Sequence, residues 1–223
     1  MLVLALDTAT PAVTAGVVEL AATGARLRSC RVAHDPRKHG ELLMPGVLAA
    51  CAEAGIGLRE VDAVVTGAGP GPFTGLRVGM VTAATLGDAL GVPVHGVCTL
   101  DAIARDAGPV AGGNLLVATD ARRREVYWAA YDPHATRLTG PHVERPAALV
   151  ARIAELGVVA AAGGSAEGLG LPVREPGAPS PAGLVAVAAD ALRAGTVPGP
   201  LEPLYLRRPD AAEPGPRKAV STP

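Results

Sequence analysis

The residues best placed to do chemistry lie at 67–79, GAGPGPFTGLRVG, between an apolar run (VDAVVTG, 61–67) and a helical pattern (LRVGMVTAATLGDAL, 76–90). A glycine-rich turn from strand to helix is where backbone N–H groups cradle a phosphate. Here Pro70 and Pro72 each remove one donor. No Gly-Lys-Ser/Thr follows, as a P-loop needs, and Pro72 takes the place of the last glycine in G-x-G-x-x-G. Gly69, Pro70, Gly71, Phe73, Thr74, Gly75 and Arg77 therefore predict a stiff, sharply shaped turn more than an anion cradle, the prolines fixing φ and the glycines freeing it.

Other chemistry-bearing residues are less well organised. Ser29, Ser165, Ser180 and Ser221 lie in no Gly-x-Ser-x-Gly elbow. Arg122, Arg123 and Arg124 make the one dense basic spot. Between two strand-like runs it reads as a solvated turn, with contact to nucleic-acid phosphates the less favoured alternative. Cys30, Cys51 and Cys98 are odd in number, far apart and without Cys-x-x-Cys, so neither a disulfide framework nor a zinc ribbon is expected.

The elements that must position the loop say more. Gly75, Gly79, Ala83 and Gly87 fall four apart and so share one helical face. Three glycines in one helix cost roughly 2 to 3 kcal/mol relative to alanine, which close approach of a neighbour would offset. That neighbour is either the subunit's own interior or a partner helix seated in the groove. The helix expected before it, at 39–54 (HGELLMPGVLAACAEA), has Leu42, Leu43, Met44, Val47, Leu48 and Cys51 around most of its circumference. A helix apolar all round is buried on several sides or covered by a partner. Its Pro45 is tolerable only in or near the first turn.

Along the chain, LVLAL (2–6) reads as a strand buried on both faces, and AVTAGVVEL and RLRSCRVAH complete a three-strand meander. From Asn114 the order begins again: NLLVATDAR, EVYWAAYD and RLTGPHV are strands, RPAALVARIAEL a helix, VVAAAGG a strand and PAGLVAVAADALRAG a helix. This repeat predicts an α/β protein of two duplicated lobes with mixed sheets, the second the thinner copy. A net charge of −1 argues against bulk electrostatic capture of nucleic acid or an acidic membrane. MLVLALD lacks the basic n-region of a signal peptide, and no stretch approaches the ~20 apolar residues of a membrane span. A soluble, cytoplasmic protein with reduced cysteines is expected. The Pro-rich, polar residues 209–223 predict a disordered tail.

Taken in order, LALDTAT, RKHGELLMP, GAGPGPFTGLRVG, TDARRREVYWAAY and PLYLR resemble the TsaB (YeaZ) family of bacterial tRNA-modification proteins over residues 1 to about 208, with Pro72 where the family usually has Ser. The resemblance implies the duplicated actin-like ATPase fold (ASKHA, ribonuclease H-like). The N-terminal lobe would span 1–105 and carry the partner-binding helices, and the C-terminal lobe would span 106–208. It also implies a non-catalytic subunit that activates its paralogue TsaD. That enzyme transfers threonylcarbamoyl to the amine of the adenosine beside the anticodon, in making tRNA threonylcarbamoyladenosine. The P-loop ATPase TsaE joins the pair, and tRNA is reached through the complex. The heterodimer is built from the helices at 39–54 and 76–90. In that light the groove becomes a partner seat made by Leu43, Val47, Ala50, Gly75, Gly79, Ala83 and Gly87, with homodimerisation through the same face when the partner is missing.

Asp7 and Thr8 then stand where actin-like ATPases place their first phosphate and Mg²⁺ motif, with Asp120 the counterpart in the second lobe. The favoured alternative is that Asp7 caps its strand-end turn, leaving at most a vestigial nucleotide site and no required cofactor. The catalytic paralogue holds its metal with two His three residues apart in a helix. Four residues intervene between His34 and His39, so helix-end polar histidines and no metal site are expected. Two rival classes stay open: a small-molecule kinase or ATPase of this fold, which needs intact phosphate motifs in both lobes, and a glycoprotease-like hydrolase, which needs a nucleophile or a metal.

Overall fold

The computed structural model describes residues 1–35 and 37–207; Arg208 and the tail expected at 209–223 lie outside the described residues. Each half of the chain builds one five-stranded mixed sheet. In the first, β1 (Leu2–Asp7), β2 (Ala12–Ala21) and β3 (Gly24–His34) form an antiparallel meander. Beyond β1, β4 (Ala63–Gly67) and β5 (Val94–Val97) add in parallel, giving the order β3-β2-β1-β4-β5. In the second, β6 (Asn114–Asp120), β7 (Val126–Tyr131), β8 (Arg137–Glu144), β9 (Val158–Ala162) and β10 (Val173–Arg174) take the order β8-β7-β6-β9-β10, with the same sense at each step. The duplication read from element order is present strand for strand. The two-residue β10, which has no apolar run to announce it, completes the correspondence.

Among the described residues five α-helices cover the sheets: α1 (His39–Ala54), α2 (Phe73–Leu90), α3 (Thr99–Ala107), α4 (Pro146–Arg152) and α5 (Pro181–Arg193). The alternation along β1 decides the layers, because successive strand side chains point to opposite faces. Leu4 and Leu6 pack with Leu43 and Val47 of α1 and Ala83 of α2. Val3 and Ala5 face the other way, against Leu184 and Val185 of α5. Between the sheets, α3 contributes Ala102 to that inner core and gives Leu100 and Ile103 to the core of the second sheet, with Val117, Tyr127 and Tyr131. The boundary expected at 105/106 therefore falls inside α3, and a helix from the second half roofs the first sheet.

Helix ends depart from the sequence reading in two places. Pro72 is the N-cap of α2, which starts at Phe73, three residues ahead of the expected 76. Pro45 lies in the second turn of α1, beyond the first, where its ring faces solvent and its missing N–H removes the bond to the Glu41 carbonyl.

Candidate functional site

The turn after β1 and the turn from β4 into α2 are built as one unit. Gly67, Gly71, Gly75 and Gly79, four apart, all face the residues that close β1. A Cβ on Gly67 would collide with the Asp7 carboxylate and one on Gly71 with the Ala9 backbone. On Gly75 it would come within 2.8 Å of the Thr8 carbonyl, and on Gly79 within 2.5 Å of Thr8 Oγ1. These glycines permit close approach; only Gly69, at φ 93°, uses the left-handed freedom of the residue. The signature loop is a clasp around residues 7–9.

Thr8 fastens the clasp. Its hydroxyl donates to the Gly75 carbonyl at 2.7 Å and accepts from the Gly79 N–H at 2.9 Å, so it satisfies groups of the first two turns of α2. Asp7 is wholly buried beside it. Its Oδ1 accepts from the Ala9 N–H at 2.9 Å and its Oδ2 from the Thr99 hydroxyl at 2.6 Å. Burial pushes the Asp7 carboxyl up to about 6; the hydrogen bonds from Thr99, Ala9 and Thr10 and the charge of His39 oppose that rise. A magnesium nucleotide, which the fold class would carry here, asks for a carboxylate open to the ion's waters and a free hydroxyl for a phosphate. The residues present do not fit it: both Asp7 oxygens and the Thr8 hydroxyl are engaged within the chain.

Asp120, at the end of β6, is partly exposed, and its Oδ1 accepts from the Arg122 N–H at 2.9 Å. With Thr8, Thr10, His39, Thr74 and Arg122 it lines a cavity of about 240 Å³, from which Asp7 is excluded. His39 Nε2 lies 2.9 Å from the Thr10 carbonyl, and His34 is exposed at the end of β3. Among the described residues no group of three or more His, Cys, Asp and Glu side chains gathers as a metal site would require.

The positions expected to form a partner seat need correction. Leu43, Val47, Ala50, Gly75, Gly79, Ala83 and Gly87 are all buried in the subunit's own interior. The bare stripe of α2 is filled by the β1 turn at Gly75 and Gly79, and Val94 closes on Gly87. The opposite faces of the two helices carry the exposed apolar residues instead: Leu48 is 52% exposed and Val81 63%. The sequence does not distinguish Leu48 from the other apolar residues of its helix. Thr99, which anchors Asp7 from 92 residues away, gives no signal in the sequence.

Two sheets of equal strand order, with helices between and outside them, define the ribonuclease H-like architecture of the actin-like ATPase class, here in duplicate. The structure titled "YeaZ from Pseudomonas aeruginosa" superposes with a TM-score of 0.72 at 28% identity, covering 92% of this chain and 99% of that one. The family model for TsaD, tRNA N6-adenosine threonylcarbamoyltransferase, matches residues 33–173. The chain belongs to the TsaB (YeaZ) family. An uncharacterised protein of Mycobacterium tuberculosis is 52% identical over 215 residues, which are 94% of this chain and 93% of that protein. The tRNA threonylcarbamoyladenosine biosynthesis protein TsaB of Escherichia coli is 36% identical over 132 residues, 59% of this chain and 55% of its own. Among the described residues no helix is long and apolar enough to cross a membrane.

Proposed function

We propose that the chain is a non-catalytic subunit of tRNA threonylcarbamoyladenosine biosynthesis, which pairs with the transferase TsaD through the outer faces of α1 and α2. The observation that carries this reading is the set of apolar residues those helices leave exposed: Leu48 with Pro45, Ala49 and Ala52 on α1, and Val81 with Ala84 on α2. The helices implied by the family resemblance are kept, and the residues move to the far side of each. A non-catalytic role is supported by Asp7 and Thr8, whose polar atoms hold the fold together in place of a phosphate.

The action proposed is positional. Burying this face against TsaD would favour the transferase conformation that fits it, a population shift that needs only differential contact with two states. TsaE joins the pair, tRNA is met in the assembly, and in the absence of TsaD a second copy covers the same apolar patch. Leu48→Glu combined with Val81→Glu is expected to abolish co-purification with TsaD and tRNA modification in a mixture of TsaD, TsaE and this chain. Both sites are exposed, so each change should move stability by no more than about 0.5 kcal/mol. Retained pairing by a folded double variant would overturn the surface named.

A further inference from the structure

We propose that the chain itself binds single-stranded RNA, in a basic and aromatic hollow where its last described segment crosses the start of α2. The choice of RNA rests on the function proposed above; the hollow stands on its own geometry. The chain has one Phe, one Trp and three Tyr. Trp128, Tyr131 and most of Tyr127, which is 5% exposed, belong to the core; Tyr127 also reaches this cavity of about 210 Å³, which Phe73, Tyr205, Arg122, Arg123 and Arg207 line with it. Drug-sized ligands occupy about 300–1,000 Å³, so this space suits one planar ring system.

The wall of the hollow is already arranged as a stacking platform. Phe73 and Tyr205 are 45% and 39% exposed and stack with centroids 5.2 Å apart at 24°. The Arg77 guanidinium lies 4.0 Å over the Phe73 ring, and its Nε donates to the Tyr205 hydroxyl at 2.8 Å. Arg122 and Arg123 line the hollow and Arg124 follows them in the same turn; all three are exposed and left-handed, at φ 61°, 54° and 60°. Such a run is uncommon for side-chain-bearing residues. It is held by the Asp120 carboxylate on the Arg122 N–H and by backbone bonds between Glu125 and both Arg122 and Ala121. Arg122 and Arg207 line the hollow and pair with the carboxylates of Asp120 and Glu125. Arg77, on Phe73 and Tyr205, and Arg124, next in the turn to Arg123, bring further positive charge.

Aromatic faces for bases beside guanidinium groups for phosphates are the combination by which unpaired nucleic acid is held. A duplex keeps its bases stacked inside and offers this hollow nothing to insert. The occupant is an unpaired nucleotide of an RNA loop or end, with its base against Phe73 and Tyr205 and its neighbouring phosphates on the arginine turn.

The test is fluorescence anisotropy of the full chain with a labelled oligoribonucleotide of about eight nucleotides, at salt from about 50 to about 200 mM. Binding is expected to weaken with salt. Phe73→Ala and Tyr205→Ala are each expected to weaken it about tenfold, and Arg124→Ala to lower the salt slope by about one, with unchanged melting temperature as the check on folding of all three. Absence of binding at the lowest salt would overturn the proposal. So would a preference for blunt duplex RNA, competition by AMP at equal nucleotide concentration, or full binding by folded Phe73→Ala and Arg124→Ala variants. Co-purification of the wild-type chain with TsaD, measured in parallel, separates failure of this site from failure of the pairing surface.

Discussion

Replacing Gly79 by leucine is expected to leave little folded protein, and replacing it by alanine to destabilise the chain in spite of helix propensity. At an open helical site, Gly→Ala gains up to about 1 kcal/mol. At Gly79 the new Cβ would lie 2.5 Å from Thr8 Oγ1, the atom that serves both the Gly79 N–H and the Gly75 carbonyl. Moving Thr8 aside breaks two buried hydrogen bonds, and its hydroxyl, left unsatisfied in the interior, costs about 1–3 kcal/mol. Overpacking adds about 1–3 kcal/mol more. Leucine brings three further carbons into the same space, and the sum reaches the scale of the whole stability of a domain, about 5–15 kcal/mol. Gly46 of α1 is the control: a Cβ there would meet only the Ala15 Cβ at 3.9 Å, an ordinary contact. Gly46→Ala should therefore stabilise by about 0.5–1 kcal/mol. Urea midpoints for the two alanine variants should move in opposite directions; a stabilised Gly79→Ala would mean that Thr8 does not close on α2 as described.

The same stripe shows what the sequence could and could not disclose. That Gly75, Gly79, Ala83 and Gly87 invite close approach was legible, because a four-residue spacing survives any tertiary context. What approaches them was not. A bare helical face has one appearance whether a foreign helix or a strand-end turn fills it, and the residue that decides, Thr8, lies 71 positions before Gly79. α1 posed the related problem: apolar residues on most of its circumference say that several sides are covered, and only the placement of β1 beneath Leu43 and Val47 leaves Leu48 as the outward one. The duplication was readable because the order of elements along the second half repeats that of the first, so most runs of apolar residues had a counterpart; the order of strands within each sheet was not. The two-residue β10 escaped because a strand that short has no period. Arg122, Arg123 and Arg124 were visible as a turn, but their nearness to Tyr205 depends on a segment with no regular structure of its own.

These cases share a cause: the local pattern fixes which face of an element is special, and long-range closure fixes what that face meets. Asp7 carries the consequence furthest. A carboxylate at the end of β1 reads equally as a metal-water ligand or a turn cap, and the difference lies in Thr99, on α3, and in the glycine at 67 that lets the chain pack against it. Once sealed, the group has lost most of its hydration, so its chemistry turns from binding to stability.

That loss makes stability depend on pH in a definite sense. The Asp7 carboxyl moves from 3.8 to about 6 on folding, driven by burial. Below about pH 4 it is protonated in both states, and the contribution of the neutral, buried acid is complete. Between about pH 4 and about pH 6 the unfolded chain releases this proton while the folded chain keeps it, so stability falls as pH rises. Above the folded value both states are ionised and the loss is complete, at roughly 3 kcal/mol for a displacement of about two pH units. Asp7→Asn cannot ionise, and it can keep both bonds, with Oδ1 accepting from the Ala9 N–H and Nδ2 donating to the Thr99 hydroxyl. Asp106, also raised by burial, and His95, lowered by it, titrate in both proteins, so the comparison cancels them. The stability of Asp7→Asn minus that of the wild type, from denaturant midpoints, should therefore climb by roughly 3 kcal/mol between about pH 4 and about pH 7. A difference flat across that range would mean that water reaches the carboxylate and that Thr99 and Gly67 do not seal it as described.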